Sequence, residues 1–151
     1  MDTRTPDQRR RIMQAVQSSD TGPELKIRRV LHRMGYRYRL HRKDLPGTPD
    51  LVFPGRRKVV FVHGCFWHWH GCKYGRLPKS RLDYWQPKLE RNCERDCEKI
   101  RQLEAVGWIV HVVWQCEIRC NLDSAVSALI AFLNDEDVYN TDRHLERAML
   151  Q

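Results

Sequence analysis

The sequence contains no apolar run of 18 residues, so it offers no segment that would cross a bilayer as a helix. Its first residues, MDTRTPDQRRR, lack the apolar stretch of a signal peptide. No repeat, low-complexity linker or composition break divides the chain, and the expectation is one domain over residues 1–151 with a single core. Acidic side chains are in short supply: 19 Asp and Glu face 27 Lys and Arg, a net charge of +8 and a pI of about 9.4. A small domain with that surplus favours a polyanionic partner, nucleic acid before others. A basic soluble domain without such a partner is the plain alternative. In the absence of an export signal, the six cysteines point to a reducing compartment, the cytoplasm, and to metal-binding or structural thiols in place of disulfides.

What is abundant is concentrated in residues 59–72, VVFVHGCFWHWHGC. Val59 to Val62 reads as a buried strand, and the eight residues from Cys65 to Cys72 then hold two thiols, two imidazoles and three aromatic rings. Around this stretch the pattern predicts a basic helix at 5–17 opened by Thr5-Pro6, and a second at 22–34 with Thr21 and Glu24 at capping-box spacing and Gly35 as its stop. Alternation predicts a strand over 36–40, and a hairpin joins 50–53 to 58–62 through Pro54-Gly55. A long charged helix at about 81–105 follows, capped by Ser80 with Asp83 and bent near Pro87. Then come an apolar strand, Trp108 to Trp114, an amphipathic helix from Asn121 to Leu133, and a polar tail at 135–151, helical at 142–150. That order predicts an α/β fold with a mixed central β-sheet flanked by helices.

Cys65, His70 and Cys72 form a C-x4-H-x-C set, and Cys116 ends the other apolar strand. If the two strands are neighbours, Cys116 completes a tetrahedral Cys3His zinc site, closed and therefore structural. Unligated buried thiols are the alternative. Cys93 and Cys97, one helical turn apart without a nearby His, rank as packing residues, and Cys120 is a spare thiol.

Asp50 stands in GTPD at the start of a short strand, with eleven residues between it and Val62. A carboxylate there can hold Mg²⁺ together with phosphate oxygens. The arrangement resembles the PD-(D/E)xK nuclease pattern, yet the later acidic and lysine places hold Val62 and Gly64. The backbone carbonyl of Val62 can replace the missing carboxylate. The base must come from elsewhere, and His68 is the nearest candidate, with Asp96 on the long helix to orient it. Against these stand a turn-capping role for Asp50 and an exposed ion pair of Asp96 with Arg95 or Lys99. His41 and His63 are either phosphate contacts or solvated side chains. Phe66, Trp67 and Trp85 are candidate wedges between base steps, with Met13 and Val16 opposing them from the minor groove. Trp69 is a candidate cover for the zinc, whereas Trp108 and Trp114 read as core. Lys88, Arg91, Asn92 and Arg95 offer phosphate- and base-competent heads on one helix.

Four segments, LPGTPDLVF, VVFVHGCFWHWHGC, RNCERD and GWIVHVVWQC, together resemble the very-short-patch mismatch-repair (Vsr) endonucleases of bacteria over most of the chain. The resemblance implies a restriction-endonuclease-like fold with one structural zinc. It also implies Mg²⁺-dependent nicking of one DNA strand 5′ to the thymine of a T:G mismatch left by 5-methylcytosine deamination. Asp50, with one or two Mg²⁺, the Val62 carbonyl, His68 as general base and Asp96 behind it match the family's catalytic positions, and Glu24 matches an acidic residue at the site's edge. Cys65, His70, Cys72 and Cys116 match the zinc ligands. Phe66, Trp67 and Trp85 match the intercalating rings, Met13 the minor-groove probe, and Lys88 and Asn92 the mismatch contacts. Val62 stands where some members have Thr, and Trp69 and Gly71 replace histidines, which trims the possible zinc ligands and strengthens the choice of His70. The family further implies a cytosine-5 methyltransferase and a MutL-type repair protein as companions, and the asymmetric substrate favours a monomer. Two rival readings remain: a non-catalytic zinc-dependent DNA-binding module, and a restriction-like nuclease without mismatch specificity.

Overall fold

The apolar run at 59–62 has no polar side to turn towards water, and the fold covers it on both faces. The computed structural model describes residues 4–16 and 19–135. Its elements are α1 (Pro6–Gln14), α2 (Gly22–Arg33), β1 (Arg39–Leu40), β2 (Leu51–Phe53), β3 (Lys58–His63), α3 (Leu82–Ala105), β4 (Ile109–Trp114), α4 (Gln115–Cys120) and α5 (Leu122–Asn134). The four strands form one sheet in the order β1-β2-β3-β4. β1, β2 and β3 run antiparallel, while β3 and β4 run parallel from Lys58↔Ile109 to His63↔Trp114. The mixed sheet and the hairpin agree with the sequence pattern, and α3 is the crossover that a parallel pair requires.

Side chains alternate across a strand, so β2 and β3 feed two cores. Leu51, Phe53 and Val60 join Ile27 and Leu31 of α2 and Val126, Leu129 and Leu133 of α5. Val52, Val59 and Phe61 point the other way, onto Leu103 of α3 and Trp108. Lys58 is buried at the end of α5 and donates to the carbonyls of Phe132 (2.7 Å) and Leu133 (3.3 Å). Its charge thereby satisfies carbonyls that the helix end leaves unpaired.

Several boundaries differ from the sequence pattern. α1 keeps its capping box, with Thr5 Oγ1 accepting from the Gln8 N–H and Gln8 Oε1 from the Thr5 N–H, but it ends at Gln14 and has no buried residue. Residue 17 lies outside the described residues. α2 keeps only half of its box: Thr21 Oγ1 accepts from the Glu24 N–H, while the Glu24 carboxylate bonds elsewhere. β1 is two residues long: β2 ends at Phe53 in a 3-10 turn, which leaves Tyr36 and Arg37 without a strand to face. Tyr36 and Tyr38 instead use their hydroxyls, bonding Asn134 Oδ1 (3.0 Å) and the Arg28 carbonyl (2.7 Å). Ser80 does not cap α3; the N-cap is Arg81, in a left-handed conformation with no side-chain bond. The helix continues through Pro87 to Ala105. Residues 115–120, to which the sequence pattern assigned no element, are helical, so Cys116 sits in a first helical turn. The proposed helix at 142–150 lies outside the described residues.

Candidate active site and metal centre

The loop before β2 makes two left-handed residues in succession, Gly47 (φ 76°) and Thr48 (φ 49°), and delivers Asp50 to the start of β2, beside the end of β3. Asp50 Oδ2 accepts the Val62 N–H at 2.7 Å. The N–H and C=O of one strand residue face the same edge, so the Val62 carbonyl also points to the Asp50 side. These are two oxygen donors of the kind Mg²⁺ prefers. Burial pushes the Asp50 carboxyl up to about 6; the Val62 N–H lowers it and neighbouring Glu24 raises it. Glu24 is 1% exposed. His41 Nε2 lies 2.7 Å from Glu24 Oε1 and 3.9 Å from Asp50 Oδ1, so an imidazole stands between the two acids. His41 is therefore bonded to protein and not merely solvated.

His68 comes from the turn after β3. Its Nδ1 is 2.5 Å from Asp96 Oδ2. The carboxylate accepts the Nδ1 proton and leaves the Nε2 lone pair available. Asp96 therefore does not make the exposed Arg95 or Lys99 pair that was its alternative. His63, 7% exposed, stacks on His68 with centroids 3.7 Å apart and planes 4° from parallel, and Trp114 meets it edge-on. The solvated reading of His63 is thus wrong, because β3 ends with this side chain under the His68 ring. Cys93 Sγ bonds the His68 carbonyl at 3.3 Å, a local support that sequence spacing did not reveal. Asp50, Val62, His63, His68, Asp96 and Lys99 line one cavity of about 220 Å³. That is room for roughly seven waters at their share of liquid volume, and so for a phosphate group with its hydration.

Because β3 and β4 are parallel neighbours, their ends bring Cys65, His70, Cys72 and Cys116 together, with one ligand atom of each within 4.8 Å of all the others. Cys116 Sγ is 3.5 Å from His70 Nδ1. Zinc bonds of about 2.3 Å to sulfur and 2.0–2.1 Å to nitrogen at a tetrahedral angle require about 3.5 Å, so this donor set fits zinc. Burial pushes the Cys65 thiol up to about 12 and raises Cys116. Cys72 is lowered despite its burial, because the backbone N–H groups of Tyr74 and Gly75 and the Cys65 thiol outweigh it. The ring lying flat on His70 is Trp114, centroids 4.1 Å apart. Trp69, the sequence candidate for that cover, occupies a left-handed position in the turn.

Gly75 is a residue that motif spacing did not single out. A Cβ there would meet the His70 carbonyl oxygen at 1.9 Å and that of Cys65 at 2.8 Å. Gly75→Ala is expected to push the ligand loop apart, costing about 2 kcal/mol or more of stability. Thermal melting and zinc content after dialysis against a mild chelator check this, and unchanged values for both would show that the loop yields freely.

Beside the cavity, Phe66, Trp67 and Trp85 form an edge-to-face cluster with centroids 5.1–6.1 Å apart. Lys88 Nζ lies over Trp67, Trp85 and Tyr84 at 5.3–5.8 Å. Asn92 Nδ2 donates to the Trp67 carbonyl at 2.9 Å, so in the free protein it braces the aromatic turn. Met13 is half-buried on α1. A groove lined by Arg28, Arg29, His32, Arg33 and Tyr38 extends the positive surface along α2.

The family model described as DNA mismatch endonuclease Vsr matches residues 1–74. The type II nicking enzyme V.XorIIP of Xanthomonas oryzae pv. oryzae is 63% identical over 117 residues, covering 78% of this chain and 86% of its own. V.NmeAIP, a type II nicking enzyme of Neisseria meningitidis, is 43% identical over 76% of this chain and 82% of its own. The DNA mismatch endonuclease Vsr of Escherichia coli K12 is 39% identical, covering 74% and 71%.

Proposed function

The chain belongs to the Vsr DNA mismatch endonuclease family, and on that premise we propose that it nicks one strand of duplex DNA 5′ to the thymine of a T:G mismatch. The observation that supports this reading is the cleft in which Asp50 and the Val62 carbonyl face the His68–Asp96 pair. Asp50 and Val62 would hold Mg²⁺, one ion or two, beside the scissile phosphate. Bound there, Mg²⁺ would supply Lewis-acid stabilisation of charge on the phosphate and on the leaving oxygen. His68 Nε2 takes the proton of the attacking water, and Asp96 holds the ring and stabilises the imidazolium that results. The stacked His63 fixes the plane of that ring. Glu24, through His41, keeps a second negative charge near Asp50 and favours cation uptake.

Phe66, Trp67 and Trp85 enter the mismatched step, and Met13 probes it from the minor groove. A mispaired step costs less to unstack than a paired one, which favours the mismatch. Lys88 and Asn92 contact the mismatched bases, for which Asn92 exchanges its bond to Trp67. Cys65, His70, Cys72 and Cys116 would hold a zinc whose closed coordination gives it a structural role. This reading takes residues 1–151 as one restriction-endonuclease-like domain acting as a monomer in the bacterial cytoplasm, at the nucleoid, with a MutL-type protein as partner. Among the described residues no helix is long and apolar enough to cross a membrane.

The test is a strand-resolved nicking assay on end-labelled T:G and C:G duplexes with Mg²⁺ or EDTA. A Mg²⁺-dependent nick confined to the thymine strand of T:G is expected. Asp96→Asn is expected to slow it about 100-fold or more, because the wrong imidazole tautomer is then favoured, while duplex binding persists. Binding without cleavage would favour a zinc-dependent DNA-binding module, and equal cleavage of C:G a nuclease without mismatch specificity.

A further inference from the structure

The PD-(D/E)xK pattern places a lysine two residues beyond its second acidic position, and here that place is Gly64. The fold brings a lysine to the same cavity from another element. Asp96, Lys99, Ile100 and Leu103 fall on one stripe of α3 at spacings of three and four residues. Leu103 is fully buried and Ile100 packs against the same cluster as Phe61 and Trp108. With that end of the stripe seated in the core, Asp96 and Lys99 overhang the cleft lined by Asp50, Val62 and His68. The Lys99 stem runs along Gly47: a Cβ placed there would come within 3.1 Å of Lys99 Cδ and 3.2 Å of its Cβ. Gly47 thus gives the side chain room beside the very turn that carries Asp50.

The carboxylates of the cleft are already engaged, Asp50 with the Val62 N–H and Asp96 with His68. Among the described residues no ion pair holds Lys99, although both acids share its cavity. A cation kept beside an acidic cleft and left uncommitted suits an anionic group entering from outside. Building on the nuclease reading above, we propose that Lys99 is a catalytic residue whose ammonium contacts a non-bridging oxygen of the scissile phosphate and stabilises the charge gathering there as water attacks. It takes over, from α3, the place that Gly64 leaves without a side chain. The proton of the water still goes to His68, and the bond from phosphorus to the leaving oxygen breaks; Lys99 forms and breaks no covalent bond.

Lys99→Met keeps the apolar stem against Gly47 and removes the charge, and Lys99→Arg restores a charge. Single-turnover nicking of saturating T:G duplex with Mg²⁺ is measured for both, alongside duplex affinity in EDTA, zinc content and melting temperature. Loss of one preorganised donor to a transition-state oxygen costs about 100-fold or more in rate. Lys99→Met is expected to show that loss with duplex affinity, zinc content and melting unchanged, and Lys99→Arg to recover most of it. A Lys99→Met rate within threefold of the wild type, or a defect that disappears at saturating DNA, overturns the inference while the nuclease reading stands. A wild-type protein that nicks no duplex overturns both.

Discussion

Asp50→Asn is expected to abolish nicking and, in the magnesium-free protein, to raise stability at pH 7. Burial holds the Asp50 carboxyl up to about 6, against an ordinary value of 3.8. A carboxyl whose folded pKa exceeds its unfolded one binds its proton more tightly in the folded chain. Its contribution therefore favours folding below the unfolded value and is lost as pH rises through 6. About two pH units at roughly 1.4 kcal/mol each set a cost near 3 kcal/mol at pH 7, and about half of that at pH 5. Asparagine carries no charge, and its side-chain oxygen can still accept the Val62 N–H. Urea denaturation of the zinc-loaded protein without Mg²⁺ should show Asp50→Asn more stable by about 1–3 kcal/mol at pH 7 and by less at pH 5. Magnesium would offset the difference: at 100 times its dissociation constant it would stabilise the wild type by about 2.7 kcal/mol and the variant hardly at all. The rate should fall by about 1,000-fold or more, because the variant loses the charge that would hold the ion. A variant less stable than the wild type at pH 7 would show that Asp50 is a structural cap.

Cys116→Ser is expected to release the zinc and to silence nicking without touching Asp50. Cys116 is the distant member of the Cys/His cluster: His70 lies 46 residues before it, and its N–H also bonds Cys65 Sγ at 3.3 Å. It ties the turn after β3 to the first turn of α4. Between the ligands Cys65 and Cys72 lie Phe66, Trp67 and His68, so the metal would fix the wedge and the base together. Structural zinc in small sites is worth about 10–16 kcal/mol, as much as the whole stability of a domain, about 5–15 kcal/mol. Losing one ligand should lower the melting temperature by about 10 °C or more and bring zinc well below one ion per chain. Cys93→Ser is the control: among the described residues Cys93 belongs to no metal-binding cluster, and zinc should stay. Metal analysis, melting and nicking measured together decide this, and a Cys116→Ser protein that keeps both zinc and activity would refute it.

Local chemistry was legible in the residues themselves. The doubly covered strand at 59–62 shows because parallel pairing and cover on both faces demand unbroken apolar sequence. The Thr5 cap, the hairpin at 54–57 and the C-x4-H-x-C set are short-range patterns whose parts lie within a few residues. Asp50, His68 and Asp96 were singled out from their motifs as site candidates, although spacing alone left a turn cap open for Asp50 and an exposed ion pair for Asp96. Periodicity failed where a neighbour decides: 36–38 alternates like a strand but pairs with none, and Ser80 has cap chemistry one residue too early. What the tertiary structure alone decided is which distant groups touch. The α3 crossover and the parallel register of β4 on β3 bring Asp96 to His68 across 28 residues and Cys116 to His70 across 46. They also lay His63 beneath His68 and hang Lys99 over Asp50's cleft. Such contacts depend on how buried stripes of helix and strand dock, and that docking is a property of the whole packed core rather than of any segment within it.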